Sequence, residues 1–189
     1  MNDYYSSISI PDDIEGEFST LIFKSPNEKV THLISFSSSS SKSLAKFKES
    51  LSGSEWDLYA AELNKNMESE YAIAGNNTNF SDIPNDDLPE HTIFQAWTYK
   101  VKDVTNFNNA FKKLVNTPKP NGYIGMGDIV HGSDGANVWI FKTHADVSEA
   151  FEFGTKNDLE KTAYSLFYKK ISEETLNQSF TRKLITRFT

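Results

Sequence analysis

The chain has 189 residues, which suffice for one ordinary domain or for two small ones that share a core. Its 38% hydrophobic and 13% aromatic residues are typical of a folded globular protein rather than a disordered one. The net charge is -7, so the chain does not have the basic composition that is typical of nucleic-acid-binding proteins. The absence of cysteine excludes disulfides, thiolate metal sites and cysteine nucleophiles.

No targeting or membrane segment is predicted. The first residues, MNDYYSS, lack the basic and apolar regions of a signal peptide. No apolar run approaches the roughly 18 residues that a membrane helix needs. The sequence therefore predicts a soluble cytoplasmic protein with no nucleic-acid and no membrane partner.

The first half of the chain predicts two strands followed by a broken helix. Residues 17–24 (EFSTLIFK) and 30–36 (VTHLISF) are rich in β-branched and aromatic residues, which favour strands. The Ser-rich residues 37–41 are interpreted as the entry to a helix, because an apolar stripe at helical spacing follows them. The stripe consists of Leu44, Phe47 and Leu51, and it resumes after a break at Gly53 with Trp56, Tyr59, Ala60 and Leu63.

A short strand and a linker close this half. Residues 70–74 are predicted to form the strand, and the Asn, Asp, Pro and Ser residues throughout 76–90 predict a linker between repeats. Domain boundaries are placed accordingly at 1–80 for an incomplete repeat, 81–90 for the linker and 91–189 for a complete repeat.

The second half predicts the element order β-α-β-β-α-β. Strands are predicted at residues 91–102, 123–131 and 137–143, and less regularly at 179–188. The Asp134-Gly135 pair is typical of the hairpin turn that joins the second and third of these strands.

Two helices complete this order. Asp103 is predicted to cap the first, whose apolar stripe includes Phe107 and Phe111, and prolines and a glycine within 118–122 end it. Asp146 is predicted to open the second helix, which is interrupted near Gly154.

This order is the ferredoxin-like pattern, in which both helices cover one face of an antiparallel sheet. The later part of the pattern also occurs earlier in the chain, at an offset of about 107 residues. On this element order, and on GMGDIV at 125–130 and NVWIF at 137–141, the chain resembles the dimeric α/β-barrel superfamily. The resemblance implies an α+β fold of two ferredoxin-like units, whose antiparallel sheets pack face to face as a pseudo-dimeric α/β barrel around a pocket.

The first predicted repeat departs from this pattern, because no strand and helix precede residue 17. Three explanations stay open. The repeat is degenerate, or residues 4–10 supply its first strand, or part of the natural N-terminus is absent from the sequence.

The predicted ligand site lies on the strand at 91–102. Alternation places Gln95, Trp97 and Tyr99 on one face, and large rings with polar tips suit a pocket that is mostly apolar with a few hydrogen-bonding groups. The alternative is that these rings only fill space between packed sheets. With His131 and Trp139, the three residues form the predicted binding set for a small apolar or aromatic ligand.

The spacing of the four histidines matches no zinc pattern, so no metal site is predicted. Each histidine is interpreted first as an ordinary surface or core residue. His131 is the best catalytic candidate, as a general base or a haem ligand, because it ends the strand on which Gly125 and Gly127 leave space. No cofactor is predicted, and haem stays open.

The superfamily resemblance implies cofactor-independent monooxygenases acting on aromatic substrates, haem-dependent enzymes, isomerases, and small proteins without known catalysis. Three hypotheses follow: a small-molecule enzyme, a non-catalytic ligand-binding or stress-type barrel, and a structural protein that self-associates through its aromatic faces. No motif decides among them, and homo-oligomerisation also stays open.

Overall fold

The computed structural model describes residues 4–5, 8–26, 28–70, 72–79, 92–117 and 123–188. Seven strands and five helices are formed within these residues. In chain order they are β1 (Ile14–Lys24), β2 (His32–Ser38), α1 (Ser41–Ser50), α2 (Ser54–Asn66), β3 (Ala74–Asn79), β4 (Ile93–Lys100), α3 (Val104–Val115), β5 (Ile124–His131), β6 (Val138–His144), α4 (Val147–Phe151), α5 (Asp158–Lys170) and β7 (Thr175–Phe188).

The strands pair in the order β2-β1-β7-β4-β6-β5-β3. Every pair whose register is defined is antiparallel. From β4 onward the chain follows the predicted order β-α-β-β-α-β, with the second helical region divided into α4 and α5. The α+β class and the elements of the second half are thus confirmed.

The prediction of two ferredoxin-like units with packed sheets is not confirmed. The strands form a single pairing order, in which β3 pairs with β5 and not with β1 or β2. Tyr4 and Tyr5 are helical, so they do not supply the missing first strand of the predicted first repeat. The predicted linker at 81–90 lies outside the described residues.

Two compact units are distinguished by their internal packing. One comprises Met1–Leu21, Lys29–Glu70 and Leu184–Thr189, and the other comprises Ile22–Glu28 and Tyr71–Lys183. The core of the first unit contains Tyr5, Ile10, Ile14, Phe47, Tyr59 and Phe188. The core of the second unit packs α3 and α5 on the sheet, and its centre is formed by Phe107, Phe111, Val138, Ile140 and Phe167.

The helices of both units begin where the sequence predicts. The Asp103 carboxylate accepts a hydrogen bond from the Asn106 amide at 2.9 Å, which satisfies one of the unpaired N–H groups at the start of α3. Ser40 caps α1 in the same way, so the Ser-rich stretch is a helix entry as predicted. Gly53, with φ of 89°, separates α1 from α2 in a conformation that favours glycine.

Strand β3 is the main difference from the predicted elements. The prediction ended this strand at residue 74 and began the linker at 76, but Ala74–Asn79 pairs with Gly125–His131 of β5. Asparagine has a low preference for strands, so the composition of this segment pointed to a loop. An edge strand needs only a neighbour for its backbone groups, and here the Asn77 side chain also accepts a hydrogen bond from the Trp139 indole at 2.6 Å.

Candidate functional site

A cleft of about 640 Å³ lies in the second unit, between helices α3 and α5 and one face of strands β4 to β6. Its size is within the range typical of small-molecule sites. We call it the aromatic cleft, because seven of its sixteen described lining residues carry aromatic rings. These rings belong to Trp97, Tyr99, Phe111, Phe153, Tyr164, Phe167 and Tyr168.

Two periodicities of the sequence build these walls. Alternation along β4 turns Trp97 and Tyr99 to the face that the helices cover. The 3.6-residue repeat of α3 and α5 turns Phe111, Tyr164 and Phe167 toward the same space. The prediction placed a pocket between two sheets, whereas this cleft lies between one sheet and its helices.

Tyr99 is the most enclosed polar side chain of the cleft, with 7% of its surface exposed. Its ring packs against Phe107 with 5.2 Å between centroids, and its hydroxyl has no hydrogen-bond partner among the described residues. Burial raises the pKa of Tyr99 to about 12, and the nearby Tyr168 phenol adds to the effect. Tyr99 therefore stays protonated at neutral pH and can donate a hydrogen bond into the cleft.

Tyr164 offers a second hydroxyl on the helix side of the cleft. Burial raises its pKa to about 12 as well, with smaller contributions from Tyr168 and Glu160. The rings of Tyr164 and Tyr168 lie 6.3 Å apart, one turn apart on α5. Both walls of the cleft thus present phenols that donate hydrogen bonds and do not accept protons at neutral pH.

Alkaline pH is expected to weaken the folded state through Tyr99 and Tyr164. Their pKa is about 12 in the folded protein and about 10 in the unfolded chain. Their contribution is fully present below pH 10 and is lost as the pH rises toward 12, because the unfolded chain then releases protons that the folded protein retains. The free energy of unfolding in urea should therefore fall more steeply over this range in the wild type than in a Tyr99→Phe/Tyr164→Phe variant. Equal slopes in the two proteins would contradict this assignment.

Glu174, the acidic residue that lines the cleft, makes structural hydrogen bonds to the backbone. The Glu174 carboxylate accepts hydrogen bonds from the Lys102 amide at 2.7 Å and from the Asp103 amide at 3.5 Å. These amides precede α3, where negative charge is favourable because of the helix dipole. Glu174 therefore anchors the start of α3 to the chain before β7.

The five residues of the predicted binding set do not converge. Trp97 and Tyr99 line the cleft. Gln95 shares their face of β4, and its side-chain oxygen lies 2.9 Å from His144 Nε2. His131 is exposed at the end of β5. Their roles as ligand contacts remain predictions.

Trp139 lies on the opposite face of the sheet from Trp97. It is directly across from Thr98 on β4 and from Gly127 on β5, whereas Trp97 is across from Ile140. Directly opposed residues of antiparallel strands share a face. The two tryptophans therefore point to opposite sides of the sheet, and a shared ligand contact by Trp97 and Trp139 remains a prediction.

Several residues of the cleft were missed by the sequence reasoning. Tyr164 and Tyr168 carry a usable signal, since two tyrosines four residues apart share one face of a helix. Lys142, which lies beside the cleft and does not line it, carries another signal, because it alternates with Val138, Ile140 and His144 and so was predictable as an inward-facing lysine. Phe153, in the connection between α4 and α5, carries none.

Neither a metal site nor a haem site is supported by the described side chains. In the described part of the chain, no group of three or more His, Cys, Asp or Glu residues could hold a metal ion. The cleft residues also include no histidine, so they offer no imidazole ligand for haem iron.

Across the described helices, none has the length and apolar character needed to cross a membrane.

Comparisons with known proteins concern the fold alone. No family model and no curated protein matches the sequence. A candidate monooxygenase from Lactobacillus acidophilus superposes with a TM-score of 0.55 at 16% identity, over 99% of this chain and 84% of that one. An anthrone oxidase-like protein gives 0.53 at 10% identity, over 98% and 82%. A candidate monooxygenase from Fusobacterium nucleatum gives 0.59 at 11% identity, over 100% and 84%. At these identities the likeness shows the fold alone, which is an α+β fold shared with the three structures.

Proposed function

We propose that the aromatic cleft binds a flat, neutral aromatic ketone and that the protein oxidises this ligand with molecular oxygen. The observation that carries the proposal is Tyr99. Tyr99 is 7% exposed and lines the cleft, and its hydroxyl makes no hydrogen bond to the described residues, so it is available to a ligand. A carbonyl oxygen of a ligand in the cleft supplies an acceptor.

The walls of the cleft favour a molecule of several fused rings. Offset or tilted contacts with aromatic side chains stabilise a flat ligand beyond the burial of its area. The sheet side offers Trp97 and Tyr99, and the helix side offers Phe111, Tyr164 and Phe167. No lysine, arginine or histidine lines the cleft among the described residues, which favours a neutral ligand over an aromatic acid.

The fold supports oxidation as the reaction. Two of the similar structures are candidate monooxygenases and the third is anthrone oxidase-like. An anthrone is a three-ring aromatic ketone, so it satisfies both the ring walls and the phenol donors. One anthrone and one O₂ yield one anthraquinone and one water, and the reaction needs no external reductant. The phenols of Tyr99 and Tyr164 would stabilise the negative charge that develops on the carbonyl oxygen when the substrate loses a proton.

Binding can be followed through the fluorescence of one tryptophan at a time. A Trp56→Phe/Trp139→Phe variant retains Trp97, whose emission should change when anthrone or anthraquinone is added. A Trp56→Phe/Trp97→Phe variant retains Trp139, which lies on the opposite face of the sheet and should not respond. Equal responses of the two variants, or no response of Trp97, would exclude the cleft as the binding site.

Removal of the Tyr99 hydroxyl is expected to weaken binding selectively. Tyr99→Phe loses one hydrogen bond to the ligand, worth about 0.5–1.5 kcal/mol, and the affinity for anthrone should fall about 2- to 10-fold. Tyr59→Phe is the matched control, because it removes a buried phenol from the other unit. Oxygen uptake with anthrone then separates an enzyme from a non-catalytic binding protein, which would bind the ketone and consume no oxygen.

A further inference from the structure

The sheet face that forms the floor of the aromatic cleft continues into a polar row. Lys142 on β6 is directly opposite Gln95 on β4 and directly opposite Ile124 on β5, and Ile124 lines the cleft. Only 4% of Lys142 is exposed, and His144, two residues further along β6, is fully buried. A lysine amine is thus placed beside the floor of an aromatic pocket.

Phe153 separates this row from the cleft. Its ring centroid lies 6.1 Å from that of Trp97, 5.5 Å from that of His144 and 5.4 Å from Lys142 Nζ. Phe153 lines the cleft, whereas Lys142 does not. The Phe153 ring therefore lies between the Lys142 amine and the space that a ligand would occupy. The adjacent Gly154 has no heavy atom within 4 Å of the position of a Cβ, so open space lies beside Phe153.

From this juxtaposition we infer that Lys142 is the general base of the cleft, which accepts a proton from the substrate once Phe153 turns aside. The inference rests on the proposed function and adds the residue that starts the reaction. In the step, a bond from the substrate carbon or oxygen to hydrogen breaks and an N–H bond forms at Nζ. The electron pair stays on the substrate, and the resulting ammonium faces the anion.

The surroundings of Lys142 make its ammonium group easier to deprotonate than that of an exposed lysine. Burial lowers the pKa of Lys142, the nearby Lys156 lowers it further, and Glu149 on α4 partly opposes this shift. On the described strands of this face the other titratable side chains are Tyr99, Asp128, His144 and, on β7, the exposed Lys183. The phenols that line the cleft are protonated donors, so they cannot take this role.

Alizarin is a suitable probe, since this flat dihydroxyanthraquinone absorbs at longer wavelength after it loses a proton. Anthraquinone, which has no acidic proton, reports binding alone. Wild-type protein should bind both, and bound alizarin should show the spectrum of its anion at a pH at which the free dye is neutral. Lys142→Met should bind anthraquinone like the wild type and leave bound alizarin neutral.

Turnover gives the second readout. Oxygen uptake with anthrone should fall about 100-fold or more in Lys142→Met, which is typical of the loss of a general base. It should also rise with pH in the wild type as Lys142 loses its proton, and be flat in the variant. Lys142→Arg keeps a positive charge but stays protonated, so it should lose oxygen uptake although circular dichroism shows a native fold.

The two proposals fail in different ways. Neutral alizarin bound to the wild type, or oxygen uptake retained in Lys142→Met or Lys142→Arg, would overturn the role of Lys142 and leave ligand binding intact. Absence of anthraquinone binding to the wild type would remove the proposed function, and the inference with it.

Discussion

Replacement of Phe107 by alanine is expected to lower the free energy of unfolding by about 3–5 kcal/mol. Phe107 is 1% exposed and lies between the sheet and α5, with its ring 5.2 Å from that of Tyr99 and 5.8 Å from that of Phe167. Removal of its ring leaves a cavity beneath two walls of the aromatic cleft. The surrounding side chains belong to a sheet and two helices, so they can close this cavity only in part.

Phe151→Ala is the matched control. The side chain of Phe151 is 68% exposed at the end of α4, so its loss should change stability by less than about 0.5 kcal/mol. Urea denaturation followed by circular dichroism compares the two variants with the wild type. Similar midpoints for both variants would show that α3 does not pack on the sheet as described.

The second large effect is expected for Gly127→Ala, which should destabilise the protein by about 2–3 kcal/mol. A Cβ at this position would collide with the Trp139 indole, 2.6 Å from Cε2, and with the Asn76 carbonyl oxygen. The same indole donates its hydrogen bond to Asn77 on β3. The methyl group would therefore displace the ring or part β3 from β5, and either change loses stability.

Gly154→Ala provides the control for this prediction. No heavy atom lies within 4 Å of the new methyl group, and Gly154 does not have a positive φ. The substitution should be neutral or should stabilise the protein by about 0.4–1 kcal/mol, since it restricts the unfolded chain. Thermal denaturation of both variants, with Trp139 emission as a local probe, distinguishes them. A Gly127→Ala protein as stable as Gly154→Ala would refute the packing of Trp139 on β5.

Helices and strands with a strong hydrophobic periodicity and a clear capping or turn residue were predictable from the sequence. The apolar stripe of α3 and its cap at Asp103 appear in the structure as predicted, because both signals act within a few residues of chain. The hairpin between β5 and β6 is another such case, with Gly135 at a φ of 78° beside Asp134. Local preference and tertiary packing agree at these positions.

Elements that depend on a distant partner were predicted poorly. The Asn-rich strand β3 has little preference of its own and is formed by pairing with β5, some fifty residues later. Residues 4–10 were one of three open explanations for the missing first strand, yet Tyr4 and Tyr5 are helical. Their rings belong to the core of the first unit, where Tyr4 stacks on Tyr59 at 4.2 Å. Such contacts override local propensity.

The sequence by itself determined that Gln95, Trp97 and Tyr99 share one face, because side chains alternate along any strand. It also determined the stripes of α3 and α5 that cover the second unit's sheet. Only the tertiary structure decided which residues of β6 join that face, since a shift of one residue in register turns every side chain to the other side. That register places Ile140 and Lys142 beside Trp97 and Gln95, and it sends Trp139 to the opposite face.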